Sequence, residues 1–295
     1  MTFNDNAQID TSGVQRRRGG AGGKVAVGGG IGIVGMIVLF ALSNILGVNL
    51  TPLANSITTD PVGTGQEQAT GMDQCASGAD ANRDDDCRLA GASNSLDRYW
   101  AEQVGGYRSP GFVIYDGVTS SPCGTASNAT GPFYCPSDET VYIDPTFFAT
   151  LRTDFGASAG SLAQMYVLAH EWGHHISKLI GSLQSAGNAS GASSGSVRLE
   201  LQADCFAGAW VKDASTIPDK NGVLLLKPVT KAQIADALDA AAAVGDDNIM
   251  KRSGRGVNPD AFTHGTSEQR QRWFMTGYEK GPNSCGTFDV AANQL

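Results

Sequence analysis

Positive charge is in short supply in this chain of 295 residues: 21 Lys and Arg face 29 Asp and Glu, a formal net charge of −8. That balance excludes a nucleic-acid binder led by phosphate contacts. Histidine is scarcer still, at four residues, so a cluster of them is informative. The six cysteines include no Cys-x-x-Cys, and none of the closely spaced ones has a histidine nearby, which argues against a thiolate zinc site. No internal repeat is found, and the acidic run Asp84-Asp85-Asp86 lacks the EF-hand spacing and reads as a solvated loop. Charged residues at 17% with hydrophobics at 41% exclude a wholly disordered chain, although 38 glycines imply flexible stretches around the core.

The longest absence is of charge, between Val25 and Thr59. Within it, residues 31–50 would span about 30 Å as a helix, the thickness of a hydrocarbon core. Arg16, Arg17, Arg18 and Lys24 precede the stretch, and the next positive residue is Arg83. The positive-inside bias then predicts a single-pass signal-anchor. Residues 1–24 form a cytoplasmic tail, 25–50 cross the bilayer, 51–90 are a linker, and 91–295 form a domain outside the cytoplasm. A cleaved signal peptide is the alternative, with Ala41-Leu42-Ser43 as a small-x-small site. Cysteines outside the cytoplasm normally pair, and the spacing suggests Cys75 with Cys87 and Cys123 with Cys135.

Beyond the linker, Leu96, Tyr99, Trp100 and Val104 share one helical face after candidate caps at Ser93 and Ser95. Short β-rich runs follow at 112–115 and 141–143. Ser161-x-x-Gln164 as a capping box and Gly181 as a stop predict a helix over 161–180, apolar on most sides of its first half. Further helices are expected over 197–213 and 232–244, the latter after Thr230-x-x-Gln233, and from Thr266 or Ser267 onward. Mainly helices with a few strands predict an α+β fold.

The predicted 161–180 helix contains His170-Glu171-Trp172-Gly173-His174-His175, which fits His-Glu-x-x-His. Helical residues four apart project within about 40° of one another, so both imidazoles can share one zinc while Glu171 reaches a water beside it. Chance would place this pattern in roughly one such chain per thousand. Two histidines and a glutamate in an apolar helix are costly without a metal or partners. The third ligand is expected to be Glu200, with Asp204 four residues on holding a histidine N–H; the reverse assignment stays open.

His-Glu-x-Gly-His-His followed by Leu199-Glu200-Leu201-Gln202-Ala203-Asp204-Cys205 resembles the bacterial putative neutral zinc metallopeptidase family. Cys123-Gly124-x-Ala126-Ser127, Gly131 to Pro136, Gly245-Asp246-Asp247 and Thr263-His264-Gly265-Thr266-Ser267-x-Gln269-Arg270 extend the likeness over roughly residues 90–290. The resemblance implies a zincin-like fold, Zn2+ held by His170, His174 and Glu200, and Glu171 as general base acting on water to split a peptide bond. His264 is the candidate donor to the oxyanion, with Tyr166 as a lesser one. The expected partners are a peptide or protein substrate and, through one helix, a lipid bilayer. A Cys205–Cys285 disulfide would tie the third-ligand helix to the C-terminal segment. Two other readings compete: a non-catalytic envelope-binding scaffold whose zinc is fully bonded by protein, and hydrolysis of a non-peptide amide at the same ligands.

Overall fold

A computed structural model describes residues 1–18, 68–187, 189–254 and 256–295. The predicted span 25–50 lies outside the described residues, and among those residues no helix is long and apolar enough to cross a membrane. The chain divides into two units, and the architecture is mixed α+β.

One unit holds Met1–Thr11, Asp73–Pro110 and Phe148–Leu295. Its helices include α1 (Asp85–Gln103), α2 (Ser161–Leu179), α3 (Gly195–Asp213), α4 (Lys231–Ala243), the short α5 (Asp246–Arg252) and α6 (Ser267–Lys280). Helix α2 is buried from Leu162 to Tyr166 and from Leu168 to Ser177, so it forms the core rather than one face of it. It ends as expected at Gly181, whose φ of 88° is the left-handed geometry that glycine adopts freely. The expected capping box at its start does not form. Gly160 is the N-cap, the Ser161 hydroxyl donates to the Met1 carbonyl, and Gln164 accepts from Arg88. The box before α4 forms between Thr230 and Gln233, and Thr266 caps α6 in the same way with Gln269.

Helix α1 begins well before the expected caps. Asp84 is its N-cap, accepting from the Cys87 N–H at 3.0 Å, and Asp85 and Asp86 occupy the first turn, where the positive end of the helix dipole favours them. The acid run is therefore a helix start, and Ser95 lies inside the helix, accepting from Trp210 Nε1 at 3.0 Å.

The second unit, residues 12–72 and 111–147, carries a five-stranded sheet in the order β2-β1-β3-β7-β6. Its strands are β1 (Val14–Arg18), β2 (Gln68–Thr70), β3 (Gly111–Asp116), β6 (Phe133–Cys135) and β7 (Thr140–Ile143), with β4 (Val118–Ser121) and β5 (Gly124–Ser127) as a separate hairpin. The two β-rich runs of the sequence are β3 and β7, which pair in parallel. Phe133 stacks on Tyr142 at 4.9 Å beside Val113 and Tyr115, and Cys123–Cys135 closes the hairpin against this core. Cys75–Cys87 and Cys205–Cys285 are the other disulfides, and no cysteine is free.

The first 18 residues are not the free tail that their charge suggests. Phe3 is fully buried, its N–H and carbonyl bracketed by Asn82 at 2.8 and 3.0 Å, and the Ala7 carbonyl accepts from Gly78 at 2.8 Å. Strand β1 lies between β2 and β3, where Arg16 pairs with Asp116 at 2.5 Å and Arg17 sits 5.7 Å above the Tyr142 ring. Arg16 and Arg17, read as part of a membrane flank, thus have partners inside the sheet, and residues 73–90 of the expected linker belong to the helical unit.

Strand β1 pairs with β2 and β3, and Phe3 with Asn82, so the fold predicts residues 1–18 on the same side of any membrane as these partners. Single cysteines placed at exposed Asn6 and Glu279 should therefore react alike with a membrane-impermeant maleimide in intact cells. Labelling of one and not the other would support the single-pass arrangement.

Candidate metal centre

Helices α2 and α3 approach closely because Gly173 lacks a side chain: a Cβ there would lie 2.9 Å from the Ala203 Cα. This approach brings the His170 and His174 rings, 4.8 Å apart, opposite Glu200. His170 Nε2 is 3.1 Å from Glu200 Oε2, and His174 Nε2 is 3.5 Å from Glu200 Oε1. Among the described residues these three offer ligand atoms all within 4.8 Å of one another. Ligands about 2.1 Å from a tetrahedral zinc lie about 3.4 Å apart, and both histidine–glutamate separations are within a few tenths of an ångström of that.

Asp204, one turn after Glu200, is otherwise occupied. Its Oδ1 accepts from His170 Nδ1 at 2.8 Å, Tyr166 Oη at 2.5 Å and Arg270 Nη2 at 2.9 Å, and its Oδ2 accepts from Arg270 Nε at 2.8 Å. The group is fully buried. Four donors fill its acceptor capacity, while the bond to Nδ1 leaves His170 Nε2 as the nitrogen that faces Glu200.

The electrostatics follow from this wiring. Burial works against the Asp204 carboxylate, but the Arg270 guanidinium and His170 hold its pKa down to about 2. Burial also opposes charge on His170, yet the charge and hydrogen bond of Asp204, joined by Glu200, push it up to about 10. A metal must compete with that proton. His174 has no such holder, and burial takes it down to about 4, ready to ligate. Glu200 stays ionised against its burial through His174 and His170.

Glu171 follows His170 on α2 and is 8% exposed. One turn on from Glu171, fully buried His175 meets the Arg108 carbonyl through Nε2 at 2.8 Å, and Trp172 Nε1 donates to Tyr107 Oη at 3.1 Å. Tyr166 is not available to an oxyanion, because its hydroxyl donates to Asp204 and accepts from Arg270 Nη2 at 3.3 Å.

His264 stands in the turn before α6. That turn rests on α3 around Glu200: a Cβ at Gly265, where φ is 86°, would lie 3.2 Å from Val197 and 3.4 Å from Leu201. Burial opposes a proton on His264, but the hydrogen bond to Asp246 and the charges of Glu200 and Asp246 raise its pKa above the usual histidine value. Two residues of this centre have no role in the sequence reading. Arg270 lay in a motif without an assigned partner, and Asp246 in the Gly245-Asp246-Asp247 motif likewise.

The family model described as putative neutral zinc metallopeptidase matches residues 4–288. An uncharacterized protein of Mycobacterium tuberculosis is 46% identical over 240 residues, 80% of this chain and 82% of that relative. The uncharacterized protein YpfJ of Escherichia coli is 37% identical over 297 residues, 95% of this chain and 96% of that relative. No solved structure matches.

Proposed function

Since the chain belongs to the putative neutral zinc metallopeptidase family, which implies Zn2+ as cofactor, we propose that it is a zinc-dependent peptidase of zincin-like design. His170, His174 and Glu200 hold the ion, Glu171 is the general base and His264 donates to the oxyanion. The observation that carries the reading is the convergence of those three ligand groups beside an Asp204 whose acceptor sites are already filled. Three protein ligands leave one position of a tetrahedral ion for water or substrate, whereas a structural zinc is bonded by protein at all four. This favours a catalytic site over the scaffold reading.

Zinc in this cradle supplies Lewis acidity and an acidified water. Glu171 takes one proton from the attacking water and returns it to the amine nitrogen as the C–N bond breaks, so that base and acid are one group. A protonated His264 presents an N–H to the carbonyl oxygen as negative charge gathers there. Asp204 and Arg270 act behind the ligands, holding the His170 ring in the tautomer whose Nε2 faces the metal. The three disulfides support placing the folded body outside the cytoplasm. A bilayer contact through residues 25–50 belongs to the same proposal.

Zinc removal tests the activity. A chelator should abolish cleavage of a peptide library by the full chain, and one equivalent of Zn2+ should restore it. Cleavage that survives complete metal removal would overturn the proposal.

A further inference from the structure

We propose that Asp246, at the start of α5, is the positioning residue that sets His264 for the reaction; this rests on the peptidase reading above. Asp246 Oδ2 accepts three successive backbone N–H groups, from Thr263 at 2.8 Å, His264 at 2.7 Å and Gly265 at 2.9 Å. Its Oδ1 lies 3.2 Å from His264 Nδ1, and its own N–H donates to the Gly265 carbonyl at 2.9 Å. Converging amides form an anion nest, and here the chain fills the nest with its own carboxylate. One side chain therefore fixes both the path of the turn and the ring that the turn carries.

The ring has few other choices. The Thr263 hydroxyl, 3.0 Å from Nδ1, can accept alongside Asp246, and the other charged groups that act on His264 are Glu200 of α3 and Arg270 of α6. An acceptor on Nδ1 keeps that nitrogen protonated, so Nε2 is the atom left for substrate. Asp247 reinforces the arrangement from the next position, accepting the Ser267 N–H at 2.7 Å and its hydroxyl at 2.9 Å. Asparagine at 246 could still serve the amides with its oxygen, but its NH2 would then face Nδ1 and oppose a proton there, so the ring would lose the doubly protonated form in which Asp246 holds Nδ1–H while Nε2–H donates to substrate.

The test is a double-mutant cycle on the zinc-loaded full chain with a peptide substrate. Asp246→Asn should lower kcat about 100-fold, the scale of one general acid or oxyanion donor, with KM and zinc content within about twofold. In a His264→Ala background the same change should cost less than about threefold, because residues acting as one unit are not additive. A full second 100-fold loss in that background, or loss of zinc in step with kcat, would overturn the assignment. Nitrogen NMR of histidine-labelled parent protein gives a readout independent of folding of the variant and of turnover. It should find His264 Nδ1 protonated, and an unprotonated Nδ1 would also sink the proposal. Failure of the peptidase reading is distinguishable, since it shows in Glu171→Gln and leaves the NMR result standing.

Discussion

Zinc-loaded Glu171→Gln is expected to hydrolyse peptides about 1,000-fold more slowly than the parent, within the range that general acid–base catalysis contributes. At about 1.36 kcal/mol per tenfold, that is a rise of about 4 kcal/mol in the barrier. The change is nearly isosteric and leaves His170, His174 and Glu200 intact, so zinc should stay at one per chain and the thermal midpoint should hold. What is lost is the ability to take a proton. No neighbouring carboxylate can replace it: Asp204 is saturated by His170, Tyr166 and Arg270, and Glu200 lies between both histidines. Because one group serves as base and then as acid, kcat should fall with little change in KM. A Gln variant that cleaves as fast as the parent would show that Glu171 handles no proton.

The centre was largely legible because its strongest signals are local. His170 and His174 meet through helical periodicity alone, and Glu200 and Asp204 repeat the same four-residue offset on the next helix. Arg270 was not legible for the opposite reason. It reaches Asp204 from 66 residues away, and nothing around it separates it from a solvated arginine on an amphipathic helix. Asp246 is similar, since its value lies in three amides of a turn 17 to 19 residues later. The fold was misread where charge was taken as exposure. Arg16 lies in a strand without apolar alternation, and the anion that pairs with it in its buried position, Asp116, comes from β3, 100 residues away. Asp84 could have been found, because an aspartate ahead of a helical face is a common N-cap.

Glu200→Gln and Asp204→Asn should separate ligand from holder. Replacing a metal ligand by a neutral amide removes a charge that faces the ion. Glu200→Gln should therefore lose zinc on dialysis, with little effect on the stability of the metal-free protein. Asp204→Asn should weaken zinc by about 10- to 100-fold, the usual effect of removing the group behind a ligating histidine. Its larger effect is on the fold. Arg270, 3% exposed, would lose the anion that two of its nitrogens contact at 2.8 and 2.9 Å, and a buried charge stripped of its partner costs about 3–5 kcal/mol. That corresponds to a fall of about 10 °C in the thermal midpoint for a body of this size. The double variant Asp204→Asn/Arg270→Gln removes the stranded charge, so it should regain much of that stability while zinc remains weak. Titration of zinc with a competing chelator, together with calorimetry of all three variants, checks both halves. Should Asp204→Asn shed zinc as completely as Glu200→Gln while melting like the parent, Asp204 would be the ligand and its bonds to His170, Tyr166 and Arg270 would have to rearrange.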